Sequence, residues 1–177
     1  MKPIFLIMGT PAAGKSTIAK ALTQRFEKGL HIPVDDLRHM VVSGLSDMGF
    51  EVPPATLEQV RLAREAASSM ARIYSDNEFA VAIDDFWYGD KPDEVYAQKI
   101  GQRVTRVLLL PNLETTVQRL YSRNPEEGSF KQILEQAIRQ LHVQIAVHPK
   151  INWLVIDSSG LSVEQTVDKI LARTERT

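Results

Sequence analysis

The sequence predicts an α/β domain in which helices cover both faces of a five-stranded, mostly parallel sheet. Short runs that are apolar at nearly every position alternate along the chain with longer segments of helical periodicity. The length of 177 residues suits one domain, and no linker rich in glycine, serine and proline divides the chain. We therefore expect a single domain over residues 1–177.

The expected strands are apolar runs, as is typical of strands that are buried on both faces. They are Pro3–Met8, Leu30–Val34, Phe79–Ile83, Val104–Leu110 and Trp153–Ile156. Pairs of aspartates follow the second and third runs, at residues 35–36 and 84–85. Carboxyl ends of parallel strands meet at one edge of a sheet, where ligands bind. We expect both aspartate pairs there, on strands that flank the first strand.

The expected helices have apolar residues at spacings of three and four. They are Ile18–Phe26, Thr56–Asn77 and three more that begin near Asn112, Ser129 and Ser162. Thr56 and Ser162 each precede a glutamine by three residues, which is the pattern of a capping box. Asn112 is a residue type favoured at helix N-caps.

Composition excludes several classes of function. The chain has 21 Lys and Arg residues against 22 Asp and Glu, so a formal net charge of −1 provides no overall basic field for nucleic acid. The absence of cysteine excludes disulfides, thiolate metal sites and cysteine nucleophiles. The opening apolar run is too short for a signal sequence or a membrane span. These features predict a soluble, cytoplasmic protein.

The segment after the first strand fits the phosphate-binding pattern G-x-x-x-x-G-K-[ST] at every constrained position. It lies between a buried strand and a helix, the setting in which backbone N–H groups surround phosphate oxygens. Lys15 is expected to reach the β- and γ-phosphates, Ser16 to bind Mg²⁺, and Thr17 to contact the α-phosphate. The expected nucleotide-binding residues of this segment are Gly9, Thr10, Pro11, Ala12, Ala13, Gly14, Lys15, Ser16 and Thr17.

This phosphate loop, or P-loop, occurs in GTPases, in motor-like and transport ATPases and in small kinases. The Asn-Lys-x-Asp motif with which GTPases bind guanine is absent from the sequence. Motors and transport ATPases usually have longer chains or additional domains. The sequence therefore predicts a small P-loop kinase that uses ATP and Mg²⁺.

Residues 9–17 together with Val34–Arg38 resemble a group of P-loop kinases that includes polynucleotide kinases, zeta-toxin-like kinases and chloramphenicol phosphotransferase. The resemblance implies that Asp35 faces the acceptor hydroxyl as the catalytic base. It implies that Arg38 binds the substrate or a phosphate, within an acceptor-binding region over about residues 37–77. It also implies that Ser158, in the loop after the last strand, borders the adenine.

Arg119 and Arg123 are similar to the paired arginines that begin the lid of such kinases, which implies a lid over about residues 119–131. Being four residues apart on a helix, they share one face. An arginine can stack on adenine or bind phosphate oxygens with its planar guanidinium. We assign Arg119 to the base and Arg123 to the phosphates, and we expect Lys15, Asp35 and Arg123 to be the catalytic residues.

Asp84 ends the third strand and resembles the acidic strand end of the same kinases. We expect it to contact the substrate or to hold Mg²⁺ through water, since Mg²⁺ uses few carboxylates and keeps several waters. For Asp36 and for Asp85, helix capping is as good an explanation as a role in the site. The cluster Phe86-Trp87-Tyr88 can either enclose an organic acceptor or pack in the core.

Two further groups of polar residues are interpreted as structural. Arg61 and Arg64 lie three apart on the long helix; they could line the acceptor pocket, but we favour exposure to solvent for both. The four histidines show no metal-binding spacing and are interpreted as structural or surface residues.

The predicted function is transfer of the γ-phosphoryl group of ATP to a hydroxyl of a small organic molecule. A polynucleotide 5′-hydroxyl kinase is less favoured, because Met40–Pro54 contains no Lys or Arg to follow a polyanion. A nucleotide-sugar kinase lies between these alternatives. A non-catalytic, nucleotide-dependent switch is a further alternative, and it makes Asp35 dispensable.

Overall fold

The computed structural model describes residues 1–46, 52–88, 91–122, 128–148 and 150–174, of which residues 102 and 128–130 are described by their backbone alone. These residues form the strands β1 (Ile4–Gly9), β2 (Gly29–Pro33), β3 (Ala80–Phe86), β4 (Val104–Leu109) and β5 (Trp153–Ile156). The strands pair in the order β2-β3-β1-β4-β5, and every neighbouring pair is parallel. The predicted five-stranded α/β fold is confirmed.

The described helices are α1 (Lys15–Thr23), α2 (Val34–His39), α3 (Pro54–Asp76), α4 (Glu94–Ile100), α5 (Leu113–Ser122), α6 (Gly128–Val147) and α7 (Val163–Thr174). α1 and α7 pack on one face of the sheet, whereas α3, α4 and α6 pack on the other. Within the described ranges, no helix is both long and apolar enough to span a membrane.

Each face of the sheet has its own apolar core, because alternate residues of a strand point to opposite faces. On one face, Phe5 of β1 packs with Leu22 of α1 and Ile170 of α7. On the other face, Leu6 of β1 packs with Ala67 of α3. β1 is buried over its whole length, so the phosphate loop that follows it begins from a rigid support.

The aspartates after β2 lie in a helix instead of at a strand end. β2 ends at Pro33, which has extended backbone angles and acts as the N-cap of α2. Val34 therefore belongs to α2, and Asp35 and Asp36 occupy its first turn. The capping interpretation of Asp36 is wrong, because α2 has no side-chain cap.

The predicted helix caps have mixed outcomes. Asn112 Oδ1 accepts a hydrogen bond from the N–H of Thr115 at 2.8 Å, which confirms it as a cap. The capping box at Ser162 is also confirmed by its reciprocal bonds with Gln165. The box at Thr56 is wrong, because α3 begins two residues earlier at Pro54, a residue type favoured at the first helical position.

Candidate active site

The loop between β1 and α1 has the backbone geometry of an anion site. Ala12 and Gly14 both adopt left-handed conformations, with φ of 59° and 93°, and alternation of this kind turns successive N–H groups inward as an anion-binding nest. Gly14 caps α1, so the positive end of that helix dipole adjoins the loop. A Cβ atom at Gly9 would lie 2.5 Å from the carbonyl oxygen of Leu109, so only glycine fits there.

Three polar side chains of the predicted phosphate site lie at the end of the loop and in the first turn of α1. Lys15 Nζ donates to the carbonyl oxygen of Thr10 at 3.0 Å, which holds the ammonium group against the loop. Ser16 and Thr17 are exposed on the first turn of α1. The loop thus presents one cation and two hydroxyls beside the nest.

A cavity of about 320 Å³ adjoins the P-loop. Its lining combines P-loop residues with residues of α1, α5, the loop after β5 and α7: Ala12, Ala13, Gly14, Thr17, Ile18, Arg119, Ser122, Ser158, Leu161, Ser162, Val163 and Thr166. Arg119 donates to the carbonyl oxygens of Ser158, at 2.9 Å, and Ala13, at 3.4 Å. The structure therefore brings Arg119 and Ser158 together beside the P-loop.

Unpartnered polar atoms mark the same region. Among the described residues, three buried side-chain polar atoms lack a hydrogen-bond partner, and two of them are Thr10 Oγ1 and Ser158 Oγ. Thr10 lies in the P-loop, and Ser158 lines the cavity. A buried hydroxyl without a partner is costly, so the Ser158 hydroxyl is available to a ligand in the cavity.

The loop after β5 is held by its own hydrogen bonds. Asp157 Oδ1 accepts from both the N–H and the hydroxyl of Ser159, and the hydroxyl bond holds the pKa of Asp157 below its usual value. Ser159 Oγ in turn accepts from the N–H of Asn112 at 2.7 Å. This loop is thereby tied to the beginning of α5, which fixes Ser158 relative to Arg119.

Asp35 lies beside a buried arginine. Its carboxylate is exposed, with 60% of the side-chain surface accessible, and accepts from Arg38 Nε at 3.3 Å. Arg38 is only 6% exposed and also donates to the carbonyl oxygen of Ser46 at 2.9 Å. Arg38 therefore holds Asp35, and its guanidinium also bonds to other protein groups.

Thr56 and Gln59, which do not form the predicted capping box, hold the segment that Arg38 contacts. Thr56 and Ser46 share a hydrogen bond between their hydroxyls at 2.7 Å. Gln59 accepts from the N–H of Ser46 and donates to the carbonyl oxygen of Gly44. The segment 44–46 is thus fixed between Arg38 and the beginning of α3, inside the region predicted to bind the acceptor.

The two aspartate pairs differ in their distance from the P-loop strand. β3 lies directly beside β1, with Asp84 paired with Ile7, whereas β2 lies one strand further out. The expectation that both pairs flank β1 is therefore wrong for Asp35. Asp84 is buried and contacts His31 of β2 through a hydrogen bond between His31 Nε2 and its Oδ2.

Asp85 and Arg64 form a buried ion pair. This contradicts helix capping by Asp85 and the exposure expected for Arg64. Arg64 Nε donates to Asp85 Oδ2 at 2.7 Å, and Tyr96 donates to the same oxygen at 2.9 Å. Burial raises the pKa of Asp85, and the nearby Arg64 opposes that shift. Asp85 is therefore not a helix cap, and Arg64 is not exposed, whereas Arg61 is exposed as expected.

Breaking this buried pair is expected to destabilise the fold strongly. Arg64→Met leaves Asp85 buried without its counter-charge, which should lower the free energy of unfolding by about 3–5 kcal/mol. Arg61→Met is the matched control, because Arg61 is exposed and, within the described part of the chain, pairs with Glu65 of the same helix. It should cost about 0.5 kcal/mol or less. Urea denaturation measures both, and equal losses would contradict the assignment.

The aromatic cluster after Asp85 is divided between the core and the surface. Trp87 is fully buried, with its ring centroid 5.1 Å from that of Trp153. Tyr88 is 37% exposed, and the Arg64 guanidinium lies 5.5 Å from the centroid of the Phe86 ring. The core interpretation is therefore confirmed for Trp87 alone.

Part of the predicted lid, namely Arg123 and residues 124–127, lies outside the described residues. Within the described part, Lys131 of α6 donates to the carbonyl oxygen of Tyr121 at 3.4 Å and so connects α6 to the end of α5.

The P-loop follows the central strand of a parallel sheet, and Arg119 connects it to the loop after the last strand. These features define a P-loop nucleotide-binding protein. The chain belongs to the chloramphenicol phosphotransferase-like protein family, whose model matches residues 2–175. No curated protein sequence matches the chain significantly. Family and P-loop together make it a kinase-type phosphotransferase.

Solved structures share the fold at low sequence identity. The tunicamycin resistance protein of Deinococcus radiodurans is 18% identical, with a TM-score of 0.67 over 98% of this chain and 96% of that one. A gluconokinase from Sinorhizobium meliloti 1021 is 13% identical, with a TM-score of 0.67 over 98% and 92%. A sugar kinase from Janibacter sp. HTCC2649 is 15% identical, with a TM-score of 0.62 over 99% and 94%.

Proposed function

We propose that the protein is an Mg·ATP-dependent kinase that phosphorylates a hydroxyl group of a small organic molecule. The observation that carries this proposal is that one cavity is lined by both the P-loop and the pair Arg119 and Ser158. A nucleoside triphosphate needs these two surfaces together, one for its phosphates and one for its base. The family to which the chain belongs supports phosphoryl transfer as the reaction.

The cavity provides suitable groups for an adenine. Ile18, Leu161 and Val163 supply an apolar lining, and the planar guanidinium of Arg119 can stack on a base. The unpartnered hydroxyl of Ser158 can hydrogen-bond to the edge of the ring. We assign Arg119 and Ser158 to the base, and Thr17 to the α-phosphate.

The chemistry of the available donors fits Mg²⁺. Ser16 offers a hydroxyl and Asp84 a carboxylate, both hard oxygen ligands of the kind that Mg²⁺ prefers. Asp84 is buried on the strand next to β1, and among the described residues its carboxylate is hydrogen-bonded only to His31. Ser16 would hold the ion directly and Asp84 through water, and the ion would neutralise charge on the β- and γ-phosphates.

The chain's own residues then account for the transfer step. Lys15 neutralises charge on the transferring phosphoryl group, where most of the catalytic benefit arises. The acceptor O–H bond breaks as its oxygen bonds to the γ-phosphorus, the bond from that phosphorus to the β,γ-bridging oxygen breaks, and ADP leaves. Asp35 takes the acceptor proton, and Arg38 keeps the carboxylate in place.

The acceptor is proposed to be a small hydroxyl compound. Chloramphenicol and gluconate are reasonable first candidates, because the family and one solved structure carry those names. Incubation of each with Mg·ATP, followed by ³¹P NMR, distinguishes a phosphate ester from free phosphate. Release of free phosphate alone, at a rate unaffected by any hydroxyl compound, would contradict the kinase proposal.

The Ser158 hydroxyl is expected to contribute to nucleotide affinity. Ser158→Ala removes one hydrogen-bonding group from the cavity and should weaken binding of Mg·AMP-PNP, a non-hydrolysable ATP analogue, about 2- to 10-fold. Ser122→Ala is the matched control, since Ser122 lines the same cavity but already donates to the carbonyl oxygen of Gln118. Calorimetry measures both affinities. Equal affinity in the Ser158 variant and the wild type would exclude this contact.

A further inference from the structure

Asp84 and Asp85 are adjacent in β3 and both are buried, yet they have very different surroundings. Asp85 is satisfied by the donors described above. Over the part of the chain that the structure describes, the only group bonded to the Asp84 carboxylate is the imidazole of His31. A carboxylate accepts at two oxygens, so Asp84 retains most of its capacity for a further ligand.

The direction of this contact follows from the sheet. Ala82 packs against α1, so alternation places Asp84 on the same face, where α1 begins with Lys15 and Ser16. β3 lies between β2 and β1. His31 therefore reaches Asp84 from the β2 side, whereas the P-loop extends from β1 on the opposite side.

We propose that His31 is a positioning residue that orients Asp84 toward the Mg²⁺ of the bound nucleotide. In this role the His31 ring donates from Nε2 to Asp84 Oδ2 and holds that oxygen on the β2 side. Rotation of the carboxylate is thereby limited, and its other oxygen is left for the water shell of the ion. This inference rests on the Mg·ATP site proposed above.

Both partners are shielded enough for this contact to persist. The exposed side-chain fractions are 12% for His31 and 9% for Asp84, so water competes little for the hydrogen bond. Groups that orient a metal-binding carboxylate typically change metal affinity or activity by about 10- to 100-fold when they are removed. An effect of that size separates a positioning role from simple packing.

The test compares the affinities of AMP-PNP measured by calorimetry with Mg²⁺ and without it. In the wild type, Mg²⁺ should strengthen binding. His31→Ala should reduce this gain by about 10- to 100-fold and leave metal-free binding unchanged. His31→Gln, whose amide N–H can donate in place of the ring, should retain most of the gain.

Tyr96→Phe is the matched control, because it removes one donor from the neighbouring carboxylate of Asp85. It should lower the melting temperature without changing the gain from Mg²⁺. If His31→Ala behaves in the same way, His31 is a packing residue and the proposal is overturned. Absence of any gain in the wild type would instead refute the Mg·ATP site itself.

A measurement on the wild type keeps the test independent of the folding of any variant. The ¹⁵N NMR signal of His31 Nε2–H should shift when Mg·AMP-PNP is added, because the carboxylate to which it donates then faces the ion. Metal-free AMP-PNP should leave the signal in place. Identical spectra under the two conditions would overturn the proposal.

Discussion

Asp35→Asn is expected to lower phosphorylation of the acceptor by about 10²–10⁴-fold, the usual contribution of a general base. The amide keeps the shape of the side chain and can no longer take the acceptor proton. Because Asp35 is exposed at the first turn of α2, the fold and the affinity for Mg·AMP-PNP should be preserved. Steady-state kinetics should therefore show a loss in kcat with little change in the KM for ATP.

Asp36→Asn is the matched control for this prediction. Asp36 is the next residue of the same helix turn, it is also exposed, and no side chain caps this helix. Its replacement should leave kcat near the wild-type value and cost stability only through the helix dipole, by about 0.3–1 kcal/mol. Loss of turnover in Asp36→Asn with retention in Asp35→Asn would reverse the two assignments.

Lys15→Ala is expected to weaken Mg·ATP binding and to lower turnover by about 10²–10³-fold, the usual effect of removing one preorganised group that stabilises transition-state charge. Its ammonium group lies against the P-loop, at the carbonyl oxygen of Thr10. With nucleotide bound, we expect it to pair with the β- and γ-phosphates. Calorimetry with Mg·AMP-PNP and single-turnover kinetics measure the two effects separately.

Lys20→Ala controls for the loss of positive charge near the nucleotide. Lys20 lies on the same helix and is exposed in its last turn, away from the loop. We expect wild-type binding and turnover from this variant. A similar loss in both lysine variants would point to a general effect of charge and would contradict a specific contact between Lys15 and the phosphates.

Features with local constraints could be predicted from the sequence. The P-loop requires particular residues within one short segment, and its buried strand and following helix are visible in the pattern of residues 3–26. The five strands were also recognisable, because parallel strands covered on both faces are continuously apolar. Ser158 and Arg119 were found through resemblance, and the structure brings both to one cavity.

Features that depend on distant partners could not be predicted. Arg64 and Arg61 occur in the same helical pattern, and only packing against β3 distinguishes the buried arginine from the exposed one. One donor to Asp85 is Tyr96, which lies in the short helix α4, a helix that the sequence pattern did not predict. His31 left a weak signal, as a polar residue within an otherwise apolar strand.

For Arg38, the resemblance predicted the region of the chain, and the structure showed its contacts. Resemblance placed it in the acceptor region, whereas its contacts with Asp35 and Ser46 show that it supports the proposed base. Those contacts depend on the fold of residues 44–46 against α3. Because no local pattern encodes this arrangement, only the structure reveals it.

In the proposed reaction, a phosphoryl group moves from ATP to a small hydroxyl compound with Asp35 as the base. The most direct test incubates the protein with Mg²⁺, [γ-³²P]ATP and a deproteinised extract of small metabolites, and then separates the labelled products. We expect label in an organic phosphate ester with the wild type, and strongly reduced ester with Asp35→Asn. Label confined to inorganic phosphate, in equal amounts with both proteins, would contradict the account.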